Sequence, residues 1–295
     1  MKITDLADAT AATGSVAVGT FDGVHLGHRD VIAGSDAVLT FEPHPVTVIS
    51  PLQRPRLLTP LAIKAEIIAS LGVDELVVAR FDAHFASQPP QRFIDDVLVG
   101  RLAAKRVSVG ENFRFGRSAA GDAALLAADG RFEVRVVPLR EIDGDIVSSS
   151  HIRSLVGAGE VARAARLLGA PFELRGTVVE GDRRGRELGF PTANLVPQAD
   201  LACPGHGVYA GWANGHPAAV NVGVRPTFAS GRGVLVEAFL IDFDGDLYGS
   251  ELQLRFLHKL RGERRFESVA ALVAAMGDDV ARARAICASA SVDPR

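Results

Sequence analysis

Val18-Gly19-Thr20-Phe21-Asp22-Gly23-Val24-His25-Leu26-Gly27-His28 joins a short apolar run, residues 15–19, to a helical pattern that opens at Leu26. A strand that ends in a glycine-bearing loop and then starts a helix is the repeating unit of a doubly wound sheet. In such sheets ligands sit at the carboxyl ends of strands, and helix N-termini attract phosphate. Gly19 and Gly23 permit close backbone approach, with Phe21 and Asp22 between them. His25 and His28 are three apart, which at a helix start turns both imidazoles toward a phosphate over the N-terminus. Each can donate to charge developing on a phosphoryl group in flight. The same His-x-Gly-His spacing also arises from two surface histidines beside a turn. The strand–loop–helix context favours chemistry.

Outward from this stretch the alternation continues. Residues 37–41 (AVLTF), 75–79 (ELVVA), 106–109 and 133–137 read as strands. Residues 58–70 carry helical spacing, with Leu61, Ala65 and Ile68 on one face and Gly72 just past the end. Residues 90–102 read as a second helix, and 148–168 are helical and rich in Ala, Leu and Arg. Strand–helix alternation implies a parallel sheet covered by helices. Two further loops fit one ligand site. Residues 110–117 (GENFRFGR) follow a strand, and a Gly/Arg/aromatic loop with Asn112 suits a planar ring and a phosphate. Ser148, Ser149 and Ser150 open a helix with Arg153 one turn in, offering hydroxyls either as plain caps or as donors to phosphate.

The texture changes near Pro171-Phe172. Short alternating strands follow at 172–179, 207–213, 218–222, 234–240 and 251–256, and Asn214-Gly215 between two apolar runs is a hairpin signal. This half reads as an antiparallel barrel or sandwich, closed by a helix over 268–285. Gly181, Gly185 and Gly189 recur every four residues in a basic loop with Arg186, a composition that wraps a polyphosphate. Pro191-Thr192-Ala193-Asn194 follows. Thr192 and Asn194 share one strand face and offer two hard oxygen ligands of the kind Mg²⁺ takes beside substrate phosphates. Glu237 is the one acid in the apolar strand 234–241. It is either an outward strand carboxylate or the base that hydroxyl phosphorylation needs.

Composition narrows the classes. The 295 residues suggest two domains, and 47% hydrophobic with 23% charged residues are globular values. Mean hydropathy is +0.18, and no apolar run approaches the roughly 20 residues of a membrane helix. The start, Met1-Lys2-Ile3-Thr4-Asp5, lacks the apolar stretch of a secretion signal, and Cys203 and Cys287 cannot make a disulfide framework. A cytoplasmic location is the expectation. A net charge of −3 gives no global field for nucleic acid, so neither nucleic acid nor membrane is expected as a partner.

The first half resembles the nucleotidyltransferase half of bacterial bifunctional riboflavin kinase/FMN adenylyltransferases (FAD synthetases). That family's pattern runs G-x-F-D-G-x-H-x-G-H, L-T-F-[DE]-P-H-P, G-x-[DN]-F-R-F-G and S-S-T-x-I-R. The matches fall at 19–28, 39–45, 110–116 and 148–153, with Ser150 in place of the Thr. The second half resembles the riboflavin kinase module of the same family at 176–194, 207–211, 221–228, 236–249 and 260–268. The resemblance implies an α/β nucleotidyltransferase domain with a Rossmann-like parallel sheet over residues 1–170. An antiparallel β-barrel riboflavin kinase domain with a C-terminal helix would occupy residues 171–295.

It also implies two reactions, with riboflavin, FMN and ATP as small-molecule partners. ATP phosphorylates riboflavin to FMN in the second domain. A second ATP adenylylates FMN to FAD and pyrophosphate in the first. The implied adenylyl site has His25 and His28 on the reacting phosphates and ATP against Gly19, Phe21, Asp22, Gly23, Asn112, Ser148 and Arg153. The implied kinase site has ATP against Gly181, Gly185, Arg186, Gly189, Pro191, Thr192 and Asn194. Mg²⁺ would lie on Thr192 and Asn194, with Glu237 as base on the ribityl hydroxyl. One departure stands out. Only Arg29–Asp36 separate His28 from the strand at Ala37, where the family has a full helix. A helix there has two turns at best. The intact flanking motifs favour a stretch lost from the numbering over a true deletion.

Overall fold

The computed structural model describes residues 1–9, 14–180, 185, 188–225 and 233–290. Its contacts divide the chain into two compact units, Met1–Ser149 and Ser150–Arg295.

In the first unit six strands form one parallel sheet: β1 (Lys2–Asp5), β2 (Ser15–Val18), β3 (Ala37–Glu42), β4 (Glu75–Arg80), β5 (Arg106–Gly110) and, after two short ones, β8 (Glu133–Val137). The short β6 (Arg114–Phe115) and β7 (Gly121–Asp122) pair only with each other, as do β9 (Glu141–Ile142) and β10 (Asp145–Ile146). The sheet order is β1-β4-β3-β2-β5-β8, with every pair parallel. Both faces are covered, so β2 is buried at all four positions. Val16 and Val18 enter a core with Leu39 and Val77, while Ala17 enters the opposite one with Val38 and Leu76. Edge strand β1 buries only Thr4. Its Lys-Ile-Thr-Asp sequence has no apolar pattern, and periodicity does not reveal it.

The helices are α1 (Leu26–Ile32), α2 (Pro45–Ile49), α3 (Leu61–Ser70), α4 (Ala83–Ser87), α5 (Pro90–Arg92, continuing as a π-helix over Phe93–Arg101) and α6 (Ala123–Asp129). Helix α3 starts at Leu61 rather than at 58 because Pro60 is its N-cap and the N–H groups of Leu58 and Thr59 donate to Asp22 instead. The short crossover from β2 to β3 closes with the residues present. Seven-residue α1 buries Val31 and Ile32. Its C-terminal end is tied to the sheet by Ser108 Oγ on Val31 O (2.7 Å), Arg106 on Gly34 O (2.8 Å) and Arg135 on Ala33 O (2.8 Å). Asp36 then accepts from Ser15 N (2.8 Å) and Ser15 Oγ (2.7 Å), pinning the start of β3 to that of β2.

The second unit begins with α7 (from Ser149 to Ala158) and α8 (Val161–Leu168), then β11 (Phe172–Val179), β12 (Ala193–Leu195), β13 (Gly207–Ala213), β14 (His216–Arg225), β15 (Gly233–Leu240), β16 (Glu251–Arg261) and α9 (Val269–Ser289). The division after Ser149 falls before the boundary drawn from the sequence at 170, since α8 packs on β11 and β16. The strands close into an antiparallel barrel, β11-β12-β15-β14-β13-β16. Closure comes from β16, which pairs with both β11 and β13, so that Phe256 lies opposite Phe172 on one side and Gly211 on the other. That settles the choice between barrel and sandwich. Asn214 (φ 47°) and Gly215 (φ 83°) make the tight turn between β13 and β14. Helix α9 covers one flank of the barrel, anchored by buried Ala283, by the Cys287 thiol on Gly211 O (3.1 Å) and by the Arg261–Asp279 ion pair (2.7 Å).

Candidate active sites

Strand order in the parallel sheet reverses between β2 and β5, and such a switch point opens a crevice beyond the strand ends. The loop after β2 carries Gly19–His25 there, and the loop after β5 carries Asn112. The Gly19 loop is an unusual piece of backbone. Phe21 (φ 49°), Gly23 (φ 89°) and Val24 (φ 40°) are all left-handed, and two of them are not glycine. A Cβ on Gly19 would lie 2.9 Å from the Phe21 ring, so this glycine lets Phe21 fold back over the end of β2. The turn is stitched from outside. The Asp22 carboxylate accepts from Leu58 N (2.9 Å) and Thr59 N (3.1 Å), Gly23 N donates to Thr59 Oγ1 (2.9 Å), and Ser149 Oγ donates to Asp22 O (2.8 Å).

His25 is the N-cap of α1, and its Nδ1 accepts from His28 N at 3.1 Å. That role places the proton of the neutral ring on Nε2. The His25 and His28 rings stack, with centroids 3.5 Å apart, and the Phe21 edge meets His28 at 5.3 Å. His28 is half-buried. Its Nδ1 is enclosed and without a hydrogen-bond partner among the described residues. Unmet buried polar atoms are rare and collect where a ligand or a reaction uses them.

Desolvation of that ring, then the potentials of His25 and Lys64, hold the His28 pKa well below the ordinary histidine value. His28 is therefore neutral at pH 7. Below about pH 6.5 the unfolded chain binds a proton here that the folded chain refuses, so stability is lost as pH falls. Thermal melts of the wild type and His28→Gln, taken from about pH 7.5 to about pH 5.5, are expected to show the steeper loss in the wild type. Identical slopes would remove this group from the acid response.

Both histidines line a cavity of about 740 Å³, within the range of small-molecule sites. At the polar end stand Gly19, His25, His28, Asn112 and Ser148. Phe41, Phe81, Phe85, Phe93, Phe113 and Phe115 form the other end, linked by ring contacts such as Phe41–Phe81 at 5.9 Å and Phe113–Phe115 at 5.5 Å. The sequence reading pointed to the Phe113/Phe115 loop but missed Phe81 and Phe85. They come from the end of β4 and from α4, and only the fold brings them together. Arg140 also lines the cavity and is paired with Asp30 of α1 at 3.0 Å. Two expected nucleotide contacts lie elsewhere. Asp22 is 1% exposed, with its carboxylate turned to residues 58–59, and the Gly23 N–H is taken by Thr59. Both shape the loop. Arg153 lies in the second unit, donating to Ser150 Oγ at 3.4 Å.

On the barrel, Asn194 lies opposite Glu237 in one strand pair and Asn221 lies opposite Glu237 in the next. The three polar residues make a row across β12, β15 and β14. Asn221 Nδ2 donates to Glu237 Oε2 at 3.2 Å. Val236 and Ala238, both 0% exposed, alternate with Glu237, so the carboxylate is on the opposite face. It is nonetheless half-buried, beside Phe239, which packs with α9 and meets the Phe190 ring at 5.4 Å. Asn221 is the partner that sequence reasoning missed. Asn194 is 6% exposed, and its Nδ2 reaches Thr192 O at 3.4 Å.

Gly181 and Arg186 lie outside the described residues. Gly189 has φ +85°, and Gly185 O accepts from Leu188 N (3.1 Å) and Phe190 N (2.8 Å). A Cβ on Gly185 would sit 2.4 Å from Phe190 O, so this glycine is a close-packing point under the Pro191–Asn194 segment. Gly185→Ala is expected to lower riboflavin phosphorylation about tenfold or more by displacing that segment. FMN adenylylation, assayed with added FMN, should be unchanged. Unaltered phosphorylation would show that the segment does not depend on this contact.

Residues 168–287 match the riboflavin kinase family and residues 8–151 match the FAD synthetase family. The bifunctional riboflavin kinase/FMN adenylyltransferase of Listeria monocytogenes is 40% identical, covering 92% of each chain, and that of Escherichia coli K12 is 38% identical, covering 90% of each. A Streptococcus pneumoniae crystal structure titled as a macrolide-efflux protein superposes with a TM-score of 0.88. It is 30% identical and covers 96% of this chain and 99% of its own. Among the described residues no helix is long and apolar enough to cross a membrane. With both halves matched in order and relatives aligned over nearly their full length, the chain belongs to the bifunctional riboflavin kinase/FMN adenylyltransferase family.

Proposed function

We propose that His25 and His28 serve adenylyl transfer and Glu237 serves riboflavin phosphorylation, in a chain that converts riboflavin to FMN and FMN to FAD. The observation that carries the first assignment is the 740 Å³ cavity with paired imidazoles at one end and a phenylalanine cluster at the other. A planar tricyclic flavin stacks on phenyl rings, and phosphates belong with the imidazoles at a helix start. Asn112 and Ser148 line the nucleotide side, and Arg140 supplies a cation once released from Asp30. The FMN phosphate attacks the α-phosphorus of ATP and pyrophosphate leaves. No protein nucleophile is required. Charge on the transferring and departing oxygens is met by the histidine N–H groups, so positioning and electrostatics carry the rate.

In the second unit Glu237 takes the proton of the ribityl hydroxyl as that oxygen attacks the γ-phosphorus. Asn221 orients the carboxylate from one side. The hydroxyl of Thr192 and the amide oxygen of Asn194 are hard-oxygen donors of the kind that fits Mg²⁺. When bound, the ion neutralises charge on the nucleotide phosphates. Gly189 and Pro191, with Gly181, Gly185 and Arg186, would enclose the same phosphates. A chain consuming ATP twice, with both cysteines free, suits the cytoplasm. Incubation with riboflavin, ATP and Mg²⁺, followed by chromatography, is expected to yield FMN and then FAD. FMN without FAD would remove the adenylyl assignment, and neither product would remove both.

A further inference from the structure

Lys64, on α3, is 4% exposed and lies behind the Gly19 loop rather than in the cavity. Its Nζ donates to Thr20 O at 2.8 Å and approaches Thr40 Oγ1 at 3.5 Å, and Thr40 Oγ1 itself donates to Thr20 O at 3.1 Å. Burying an ammonium is costly, and a site needing only packing takes an apolar residue, as its neighbours Ile63 and Ile68 show. What the cation gains is a grip on one carbonyl of a loop with two non-glycine residues in the left-handed region. Such backbone persists only where its surroundings over-determine it. Asp22 and Thr59 hold the second half of that loop, and the first half is held by Gly19 N on Leu39 O (3.1 Å) and by the two donors on Thr20 O.

Resting on the assignment of adenylyl transfer to this loop, we propose that Lys64 is a positioning residue. By holding Thr20 O it fixes the turn that presents His25 and His28 to the substrate phosphates. Its electrostatic surroundings agree. The groups that act on Lys64 are Asp22 from the loop and Glu42 from the end of β3, both attractive, against the desolvation that lowers its pKa. Desolvation, then His25, lower the His28 pKa, and Lys64 adds to them with the same sign, favouring the neutral imidazole. The lysine thus links the shape of the loop to the state of the ring without touching substrate.

The test uses the full chain with FMN and ATP–Mg²⁺. Lys64→Met is expected to lower kcat for FAD formation about 10²-fold, the cost of misplacing reacting groups by about an ångström. KM for FMN should stay the same, because the phenylalanine end of the cavity is untouched. Riboflavin phosphorylation should also be unchanged. In the ligand-free enzyme the His28 imidazole resonance should titrate at higher pH than in the wild type, and Lys64→Arg, which keeps the cation, should restore both the titration and kcat, a rescue that mere loosening of packing would not give. Lys64→Gln carries the same comparison should Lys64→Met not fold. Wild-type kcat, a change confined to KM, or an unmoved His28 titration overturns the inference. So does failure of both variants to fold, which would make Lys64 a residue of core stability only. His28→Ala run alongside separates the two readings. If that variant makes FAD at the wild-type rate, the site assignment itself falls. If it is impaired while the Lys64 variants are not, only the role of Lys64 does.

Discussion

Glu237→Gln is expected to lower riboflavin phosphorylation by about 10²–10⁴-fold, the usual cost of removing a positioned base, while FAD formation from supplied FMN proceeds as in the wild type. The substitution keeps the length and the hydrogen-bonding head of the side chain. Asn221 Nδ2, now 3.2 Å from the carboxylate, can still donate to the remaining carbonyl oxygen, so the row Asn194–Glu237–Asn221 keeps its shape. Binding should be largely retained, because Thr192, Asn194 and Gly189 are untouched. The loss should therefore appear in kcat rather than in KM. What disappears is the capacity to take the hydroxyl proton as the phosphorus–oxygen bond forms. The carboxylate is on the outer face of the barrel strand, yet half-buried beside Phe239 and near α9, a setting unlike that of a solvated strand residue. One variant assayed with two substrates is decisive. Phosphorylation within a few-fold of wild type would reduce Glu237 to a partner of Asn221.

The parts of the fold that could be read from the sequence are those where one physical signal dominates. Buried parallel strands such as Ala37–Glu42 are continuous apolar runs, and Asn214-Gly215 names its own turn. Strand β1 escaped because an edge strand with one buried side chain has no pattern to show. The residues from Phe93 to Arg101 have helical spacing, but periodicity does not separate an α-turn from the π-turns formed there.

For the site, chemistry-bearing residues stood out by type and spacing, and their supporting residues did not. The family resemblance alone puts Asp22 against ATP. Its carboxylate accepts from Leu58 and Thr59, 36 and 37 positions away and unrelated in pattern. Lys64 reads as an ordinary polar position on an amphipathic helix, and only the fold shows that its ammonium ends on Thr20 O. The phenylalanine end of the cavity is likewise assembled from five separate segments. The short crossover is a related case. Length counts favour a longer helix, but Ser15, Asp36, Arg106, Ser108 and Arg135 close the connection through side-chain hydrogen bonds that no length rule includes.

For His28→Ala, FAD formation from FMN is expected to fall by about 10²–10³-fold, the range seen when one preorganised donor to developing charge is lost. FMN formation from riboflavin should continue at its normal rate. The substitution leaves the start of α1 intact, since the cap is made by the backbone N–H of residue 28 on His25 Nδ1. It removes the ring that stacks on His25 at 3.5 Å and that meets the edge of Phe21. With its pKa held well below the ordinary value, that ring is a neutral donor at pH 7, not a fixed cation. Its contribution is therefore a directed N–H rather than long-range attraction. Raising the salt concentration should not reproduce the loss, because screening acts on charge between separated groups. His28→Asn, which keeps a donor of shorter reach, should recover part of the rate. The comparison needs both substrates in one preparation, with a melting curve to confirm that the variant is folded. Equal loss of FMN and FAD formation in a folded variant would deny that the two reactions occupy separate sites. Undiminished FAD formation would remove the assignment of adenylyl transfer to this pair of histidines.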